Sequence, residues 1–380
     1  MQFIKHISLK MKEKHLTIVV TEKCNLKCTY CYERNRTLRK PNLYKIKQFI
    51  IEEINNPKNK DFDIFFIEFF GGEPFIEFKL IKEITKFIRT LKTNKRIHLF
   101  AITNGTLVHG SIKEWLINNK DIFSCGLSFD GDEYSQNINR SNSFKLIDLD
   151  FFIKNYPGQW VKMTISEESL KYLAHNVIYC HSHGALVHAN LAYGIDWSDR
   201  EKQKILNDQL DELIKFYLDN PTIEPCSLLD GALFLGPKNP TTVHRWCGVT
   251  SNSMVVYSID GKKYPCQLLL PLSSKDRTPK LQKIPELIEI NKYDKKCHEC
   301  ELINLCPTCF CSNLVNNGNP FMKDEGFCEM QKIMIRKKAI FNAKKWEKGL
   351  LDKKLEEEKL FLTNIKRIID ATDDYEFDSK

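Results

Sequence analysis

The stretch Cys24-Asn-Leu-Lys-Cys28-Thr-Tyr-Cys31 constrains this chain more than any other feature. It follows the apolar run Leu-Thr-Ile-Val-Val at 16–20, which reads as a short buried strand, so the cysteines fall in the loop at that strand's C-terminal end. Three thiolates hold three irons of a 4Fe–4S cube and leave the fourth iron without a protein ligand. A cluster used only for electron transfer has four cysteines, and a structural zinc site closes with four ligands. An iron left open is a place where a small molecule binds and reacts. Taken alone, the triplet also suits inert buried cysteines, or most of a zinc site with a distant fourth ligand.

Cysteine is the outlier of the composition. Fourteen occur: three near the start, eight from Cys247 to Cys328, and three scattered at Cys125, Cys180 and Cys226. Residues 1–14 are charged and lack the apolar core of a secretory signal. No run reaches the length of a membrane span; 64–70 is too short and contains Glu68. The expectation is a cytoplasmic chain, where clustered cysteines point to metal rather than to disulfides. The net charge of +8 over 380 residues is spread across many Lys and Glu, and reads as a solvated surface that calls for neither nucleic acid nor membrane. That length suits two or three domains.

Hydrophobic periodicity alternates along the first half. Strands are predicted at 61–70, 96–102, 122–129, 160–166 and 185–189, and helices at 44–55, 78–91, 111–118, 145–155 and 169–182. Strand followed by helix, about six times over ~175 residues, implies parallel strands with right-handed crossovers. The fold class is α/β: a partial (β/α)6 TIM-like barrel, then a small cysteine-rich domain and a C-terminal helix. Such sheets place active sites at the C-terminal ends of their strands. The Cys24 loop, Gly71-Gly72-Glu73, Thr103-Asn104-Gly105 and Ser128-Phe-Asp130 all fall there. Gly71 and Gly72 let backbone approach a ligand closely. Glu73 suits a ligand ammonium group, and Ser128 and Asp130 suit ribose hydroxyls or a carboxylate. Each alone is more often an ordinary turn.

Together, and in this order, these stretches resemble the radical S-adenosylmethionine (SAM) superfamily. The aromatic Tyr30 before the last cysteine belongs to that pattern. The resemblance implies that Cys24, Cys28 and Cys31 carry a 4Fe–4S cluster whose open iron takes SAM. It implies that Gly71, Gly72 and Glu73 meet the methionine end, and that Tyr30, Asn104, Ser128 and Asp130 lie beside the cofactor.

A second cysteine group follows a long amphipathic helix at 199–218 and a Pro- and Gly-rich linker at 220–240. Asp260-Gly261 between 254–258 and 262–266 is a hairpin signal that hangs Cys266 on a small ribbon. Little apolar sequence surrounds these cysteines, so metal is expected to hold the region together. Two CxxC pairs also suit zinc knuckles. The order Cys247-x13-Gly261-x4-Cys266, then Cys297-x2-Cys300-x5-Cys306, then Cys328, resembles the SPASM extension of radical SAM enzymes. That resemblance implies two auxiliary 4Fe–4S clusters. Cys297, Cys300, Cys306 and Cys328 would hold one; Cys247, Cys266 and a cysteine of the Cys306-Pro-Thr-Cys309-Phe-Cys311 stretch would hold the other. The usual spacing lands on Phe310; Cys309 is favoured and Cys311 stays open. Cys226, Cys311, a substrate thiolate or an open position would complete that second set.

The resemblance covers about residues 15–335. The domains expected are a barrel at 15–195, a bridging helix and linker at 196–245, a SPASM domain at 246–335 and a helical tail at 336–380. The implied cofactors are SAM and three 4Fe–4S clusters. The implied activity is a peptide maturase that forms a thioether or carbon–carbon crosslink in a ribosomal precursor peptide. Its electron donor would be a flavodoxin or ferredoxin. Only about fourteen residues precede the first strand, so a separate peptide-recognition protein is a candidate partner. Sulfatase maturation to formylglycine is the nearest alternative, but those maturases carry an Asp base where Gln267 stands, and an amide is a poor proton acceptor. A cluster- or zinc-bearing scaffold is the alternative of another class; it has no need of Gly71-Gly72-Glu73. The histidines His181, His183 and His188 are read as packed or surface residues.

Overall fold

The computed structural model describes residues 11–231, 233–237, 240–244, 247–274, 287–323, 325–351 and 355–375. Parts of several sequence readings lie outside the described residues: the charged start up to 10, positions 232, 238–239 and 245 of the linker stretch, 246, 275–286 and 324 of the expected SPASM domain, and 352–354 and 376–380 of the tail. The elements run β1 (Glu13–Thr21), α1 (Leu43–Asn55), β2 (Ile64–Gly71), α2 (Phe78–Thr90), β3 (Arg96–Thr103), α3 (Gly110–Asn118), β4 (Phe123–Leu127), α4 (Glu133–Asn139), α5 (Leu149–Asn155), β5 (Trp160–Ile165), α6 (Leu173–Ser182), β6 (Leu186–Leu191) and α7 (Arg200–Asp219). Then follow β7 (Thr242–His244), β8 (Met254–Tyr257), β9 (Lys263–Tyr264), α8 (Pro271–Ser274), β10 (Leu287–Glu289), α9 (Lys295–His298), α10 (Phe310–Asn317), α11 (Glu325–Glu347) and α12 (Leu355–Asp370). All six strands expected in the first half form. The short α4 had no periodic signal.

The chain divides into two compact units. The first draws on 1–129, 136–162 and 246–285, the second on 130–135, 163–245 and 286–380.

In the first unit the sheet order is β4-β3-β2-β1-β8-β9, parallel except for the β8–β9 hairpin. Alternation explains its two faces. Leu16 and Ile18, Phe65, Ile67 and Phe69, Leu99 and Ala101, and Phe123, Cys125 and Leu127 share one face and are fully buried. So are the apolar stripes of α1 (Ile46, Phe49, Ile50) and α2 (Ile81, Ile84). Each such side chain contributes about 2 kcal/mol by leaving water. The opposite face carries Glu13 and His15, Phe66 and Glu68, His98 and Phe100, and Ser124, and is only half-buried. Beyond β4, Ser128 bridges Lys162 in parallel fashion, and Phe129 N–H donates to Lys162 O at 2.9 Å.

The second unit is built on helices. α7 and α11 pack together, and the half-exposed Asp211 accepts from the buried Lys337 Nζ at 2.6 Å. Leu235, Leu302, Ile335, Ala339 and Ile368 form one apolar cluster. Leu302, Ile303 and Phe310 lie between the late cysteines and are buried. This cysteine-rich stretch therefore also contributes apolar side chains to a buried core, more than the sparse apolar sequence around its cysteines suggests. The composition hid this because each contributing residue is isolated in sequence. β5 pairs with β6, and β7 with β10. His181 is packed, its ring between Ala185 O at 3.0 Å and Tyr217 Oη at 2.8 Å.

Candidate active site and cysteine clusters

The loop carrying Cys24, Cys28 and Cys31 is tied down from three directions within the first unit. From β2, Gly72 N–H donates to Thr21 O at 3.2 Å and Glu73 N–H to Lys23 O at 2.8 Å. That approach requires two glycines. Gly71 has φ +137°, and a Cβ there would stand 1.8 Å from Thr21 O; one on Gly72 would stand 2.4 Å from Lys23 O and 2.9 Å from the Cβ of Cys24. From β3, Asn104 Nδ2 donates to Asn25 Oδ1 at 2.9 Å and lies 4.0 Å from Cys24 Sγ, while Thr106 Oγ1 joins both asparagines. From the turn after α4, Asn139 O accepts from Thr29 N–H at 3.0 Å and Ser141 Oγ from Lys27 N–H at 2.8 Å. Ser141 and Asn142 both sit at φ 55°, a left-handed pair that shapes this turn.

Glu73 is fully enclosed. Its carboxylate accepts from Thr103 Oγ1 at 2.7 Å, Asn104 N–H at 2.8 Å and Phe75 N–H at 3.1 Å. Burial raises its pKa, opposed by these donors and by Arg140. A carboxylate has about four acceptor positions, so this one keeps room for a ligand donor. The Arg140 guanidinium also lies over the Tyr30 ring, 5.4 Å from its centroid. Ser128 is half-buried at the end of β4, its N–H donating to Thr103 O at 2.8 Å. Asp130 belongs to the second unit and is fully enclosed, with Oδ1 accepting from Thr164 N–H at 2.9 Å.

The three loop cysteines form no disulfide and are half-buried. Burial raises the Cys24 pKa, with Glu73 and Cys31 adding to the rise and Arg36 opposing it. Arg36 Nη2 lies 3.5 Å from Cys31 Sγ, and its buried Nε has no partner among the described residues. A cation and spare donors beside closely grouped thiols suit an anionic metal–thiolate assembly. Among the described residues, no three His, Cys, Asp or Glu side chains converge as they would on one ion; a cubane spreads its thiolates around a larger body.

The later cysteines fall into two groups. In the second unit Cys297, Cys300, Cys306 and Cys328 influence one another electrostatically, and Lys323 acts on Cys297 and Cys328 as well as Cys306. Lys323 Nζ donates to Cys306 Sγ at 3.5 Å, and the thiols push its pKa above the ordinary lysine range. In the first unit Cys247 and Cys266 are electrostatic neighbours, both half-buried. Cys309, in the second unit, caps α10, its Sγ accepting from Ser312 N–H at 3.4 Å, whereas Cys311 is buried in the first turn of that helix.

Residues 18–148 match the family model described as the Radical SAM superfamily. The stretch at 18–148 is a radical SAM domain. A radical SAM domain implies SAM and a 4Fe–4S cluster, and the three loop cysteines are the donor set that fits it. An uncharacterized protein of Methanocaldococcus jannaschii is 31% identical over 44% of this chain and 58% of its own length, so the match leaves much of that relative uncovered. The radical SAM cyclopropyl synthase TigE of Paramaledivibacter caminithermalis is 22% identical over 85% of this chain and 73% of its own. A cysteine-type anaerobic sulfatase-maturating enzyme of Clostridium novyi is 24% identical over 83% and 92%. In fold, anSMEcpe with bound AdoMet and Cp18Cys peptide superposes with a TM-score of 0.66 at 19% identity, covering 87% of this chain and 99% of that one. No helix among the described residues is long and apolar enough to cross a membrane.

The sequence pattern named Cys24, Cys28, Cys31, Tyr30, Gly71, Gly72, Glu73 and Asn104, and the first unit gathers all of them around one loop. It did not point to Asn25, Thr106, Arg36, Arg140 or Lys323. Polar residues of these types occur throughout the chain, and nothing in their spacing separates these from the rest.

Proposed function

We propose that this protein is a cytoplasmic radical SAM peptide maturase that forms a thioether or carbon–carbon crosslink in a ribosomally made precursor peptide. When bound, SAM and its cluster supply a 5′-deoxyadenosyl radical able to take hydrogen from an unactivated carbon. The chain's part is to hold and shield that chemistry. Glu73, already organised by Thr103 and Asn104, would receive the methionine ammonium. Gly71 and Gly72 keep the strand end close against the cysteine loop. Tyr30 beneath Arg140, with Asn104 and Ser128, would border the nucleoside end. Cys297, Cys300, Cys306 and Cys328 would hold one auxiliary cluster, and Cys247, Cys266 and Cys309 would contribute to another. Cys309 is preferred over Cys311 because a helix N-terminus favours a thiolate and its sulfur is reachable.

The observation that carries this reading is the mutual locking of the Cys24 loop and Gly71-Gly72-Glu73 through backbone bonds that only glycines permit. The peptide substrate is supported by likeness to TigE and to sulfatase maturases along most of the chain. Formylglycine formation is the competing outcome; Gln267 after Cys266 argues against it. The test is anaerobic reconstitution with iron, sulfide, dithionite and SAM. We expect 5′-deoxyadenosine, and loss of a hydrogen pair from the peptide encoded beside the gene. A fully loaded protein that makes no deoxyadenosine would leave the scaffold reading; oxidation of a sulfatase peptide instead would establish the maturase one.

A further inference from the structure

Glu68 stands out on the half-buried face of the first unit's sheet. It lies on β2 opposite Thr17 of β1, three residues before Gly71. Its Oε2 accepts from Thr17 Oγ1 at 2.9 Å and from Gln267 Nε2 at 3.4 Å, and Gln267 Nε2 also lies 3.4 Å from Thr17 Oγ1. Two neutral donors thus orient one carboxylate oxygen, while no partner for Oε1 is seen among the described residues. Among the described residues no cation pairs with it directly; Lys162 on β5 acts only at a distance, and Glu33 from the cysteine loop is a like-charged neighbour. Burial pushes the Glu68 pKa above the ordinary carboxylate range.

A desolvated carboxylate without a salt-bridge partner costs stability. The neighbouring pairs on the same face, His15–Phe66 and Val19–Phe70, are aromatic or apolar, so the sheet does not need an acid there. A carboxyl group that is oriented, desolvated and placed below a reactive rim is suited to proton transfer.

We propose that Glu68, oriented by Thr17 and Gln267, accepts the proton that the peptide loses as its crosslink closes. This rests on the peptide-maturase reading. For a thioether, a C–H and an S–H bond break and one C–S bond forms. One hydrogen atom goes to the 5′-deoxyadenosyl carbon, one proton to the Glu68 carboxylate, and one electron to an auxiliary iron–sulfur cluster as oxidant. For a carbon–carbon bond, a second C–H takes the place of the S–H.

The test uses the full chain as Glu68→Gln and Glu68→Asp, loaded anaerobically, with a synthetic copy of the peptide encoded beside the gene. We expect Glu68→Gln to lower crosslinked product per 5′-deoxyadenosine by ~100-fold, with Glu68→Asp recovering part of it. Crosslinking at the wild-type ratio in Glu68→Gln overturns the proposal and leaves the maturase reading standing. No deoxyadenosine from the wild type takes down the maturase reading itself. Infrared spectra of the metal-free protein give a second readout independent of turnover. A protonated-carboxyl band that outlasts ordinary glutamates on raising pH, and is missing in Glu68→Gln, is expected; its absence from the wild type also overturns the proposal.

Discussion

The Cys24 loop and the Cys297–Cys328 group present the same donor atoms on opposite kinds of support. The first sits on the end of a parallel sheet, held by backbone bonds from β2, by asparagine side chains after β3 and by the turn after α4. The second hangs on a four-residue helix, short turns and the start of α11, with Lys323 among the thiols. A sheet edge shapes its loop before any metal arrives. A set of turns with four neighbouring thiols would gain much more from a metal bound there. The lesson is that clusters of the same donor atoms need not be equally preorganised.

Breaking the sheet-side support gives the largest expected effect. Gly71→Ala places a Cβ 1.8 Å from Thr21 O at φ +137°. We expect a loss of ~3 kcal/mol or more, with iron at the first site and SAM retention lost together, as read by melting and equilibrium dialysis. A variant that melts and loads like wild type would show that the loop does not depend on this contact.

Chelating the iron sharpens the same contrast. Hydrogen exchange in 295–323 is expected to rise by orders of magnitude, while the β1–β4 amides keep their protection. Equal deprotection of both would erase the distinction drawn here.

Glu73→Gln turns an acceptor toward three donors into a group that is half donor. A cost of about 2 kcal/mol is expected in urea unfolding, with weaker SAM binding by dialysis. Lys323→Met, by contrast, leaves the first site alone. Removing a cation beside the Cys306 sulfur should lower the reduction potential of the auxiliary cluster proposed there, measured by redox titration followed by paramagnetic resonance.

The smallest effect is a pH slope. Burial holds His98 below the ordinary histidine value of 6.5. The unfolded chain therefore binds a proton there more readily than the native one. Stability is full above that value and falls as pH drops through it. Urea midpoints on either side should show the slope, and His98→Phe should flatten it.

Much of the first unit was legible because it is local. The run at 16–20 is apolar and β-branched, and β1 occupies Glu13–Thr21. The 96–102 reading meets β3 at Arg96–Thr103, and the hairpin signal at Asp260-Gly261 meets β8 and β9. What stayed hidden is long-range. Nothing in the sequence says that β8 lies parallel beside β1, with His15 opposite Met254. Nor does spacing reveal that Asn139 and Ser141, more than a hundred residues on, hold the cysteine loop. The place of Asp130 after a strand was legible; the bond its carboxylate accepts from the Thr164 amide was not.

The pairing of β8 with β1 has a practical consequence for anyone cutting the gene. Expressing the first 250 residues as a minimal catalytic fragment would strip a neighbour from β1 and bare its polar backbone to other molecules, an invitation to intermolecular strand pairing. The ribbon that carries Cys266 is thus also the cover strip for the oldest part of the sheet in chain order.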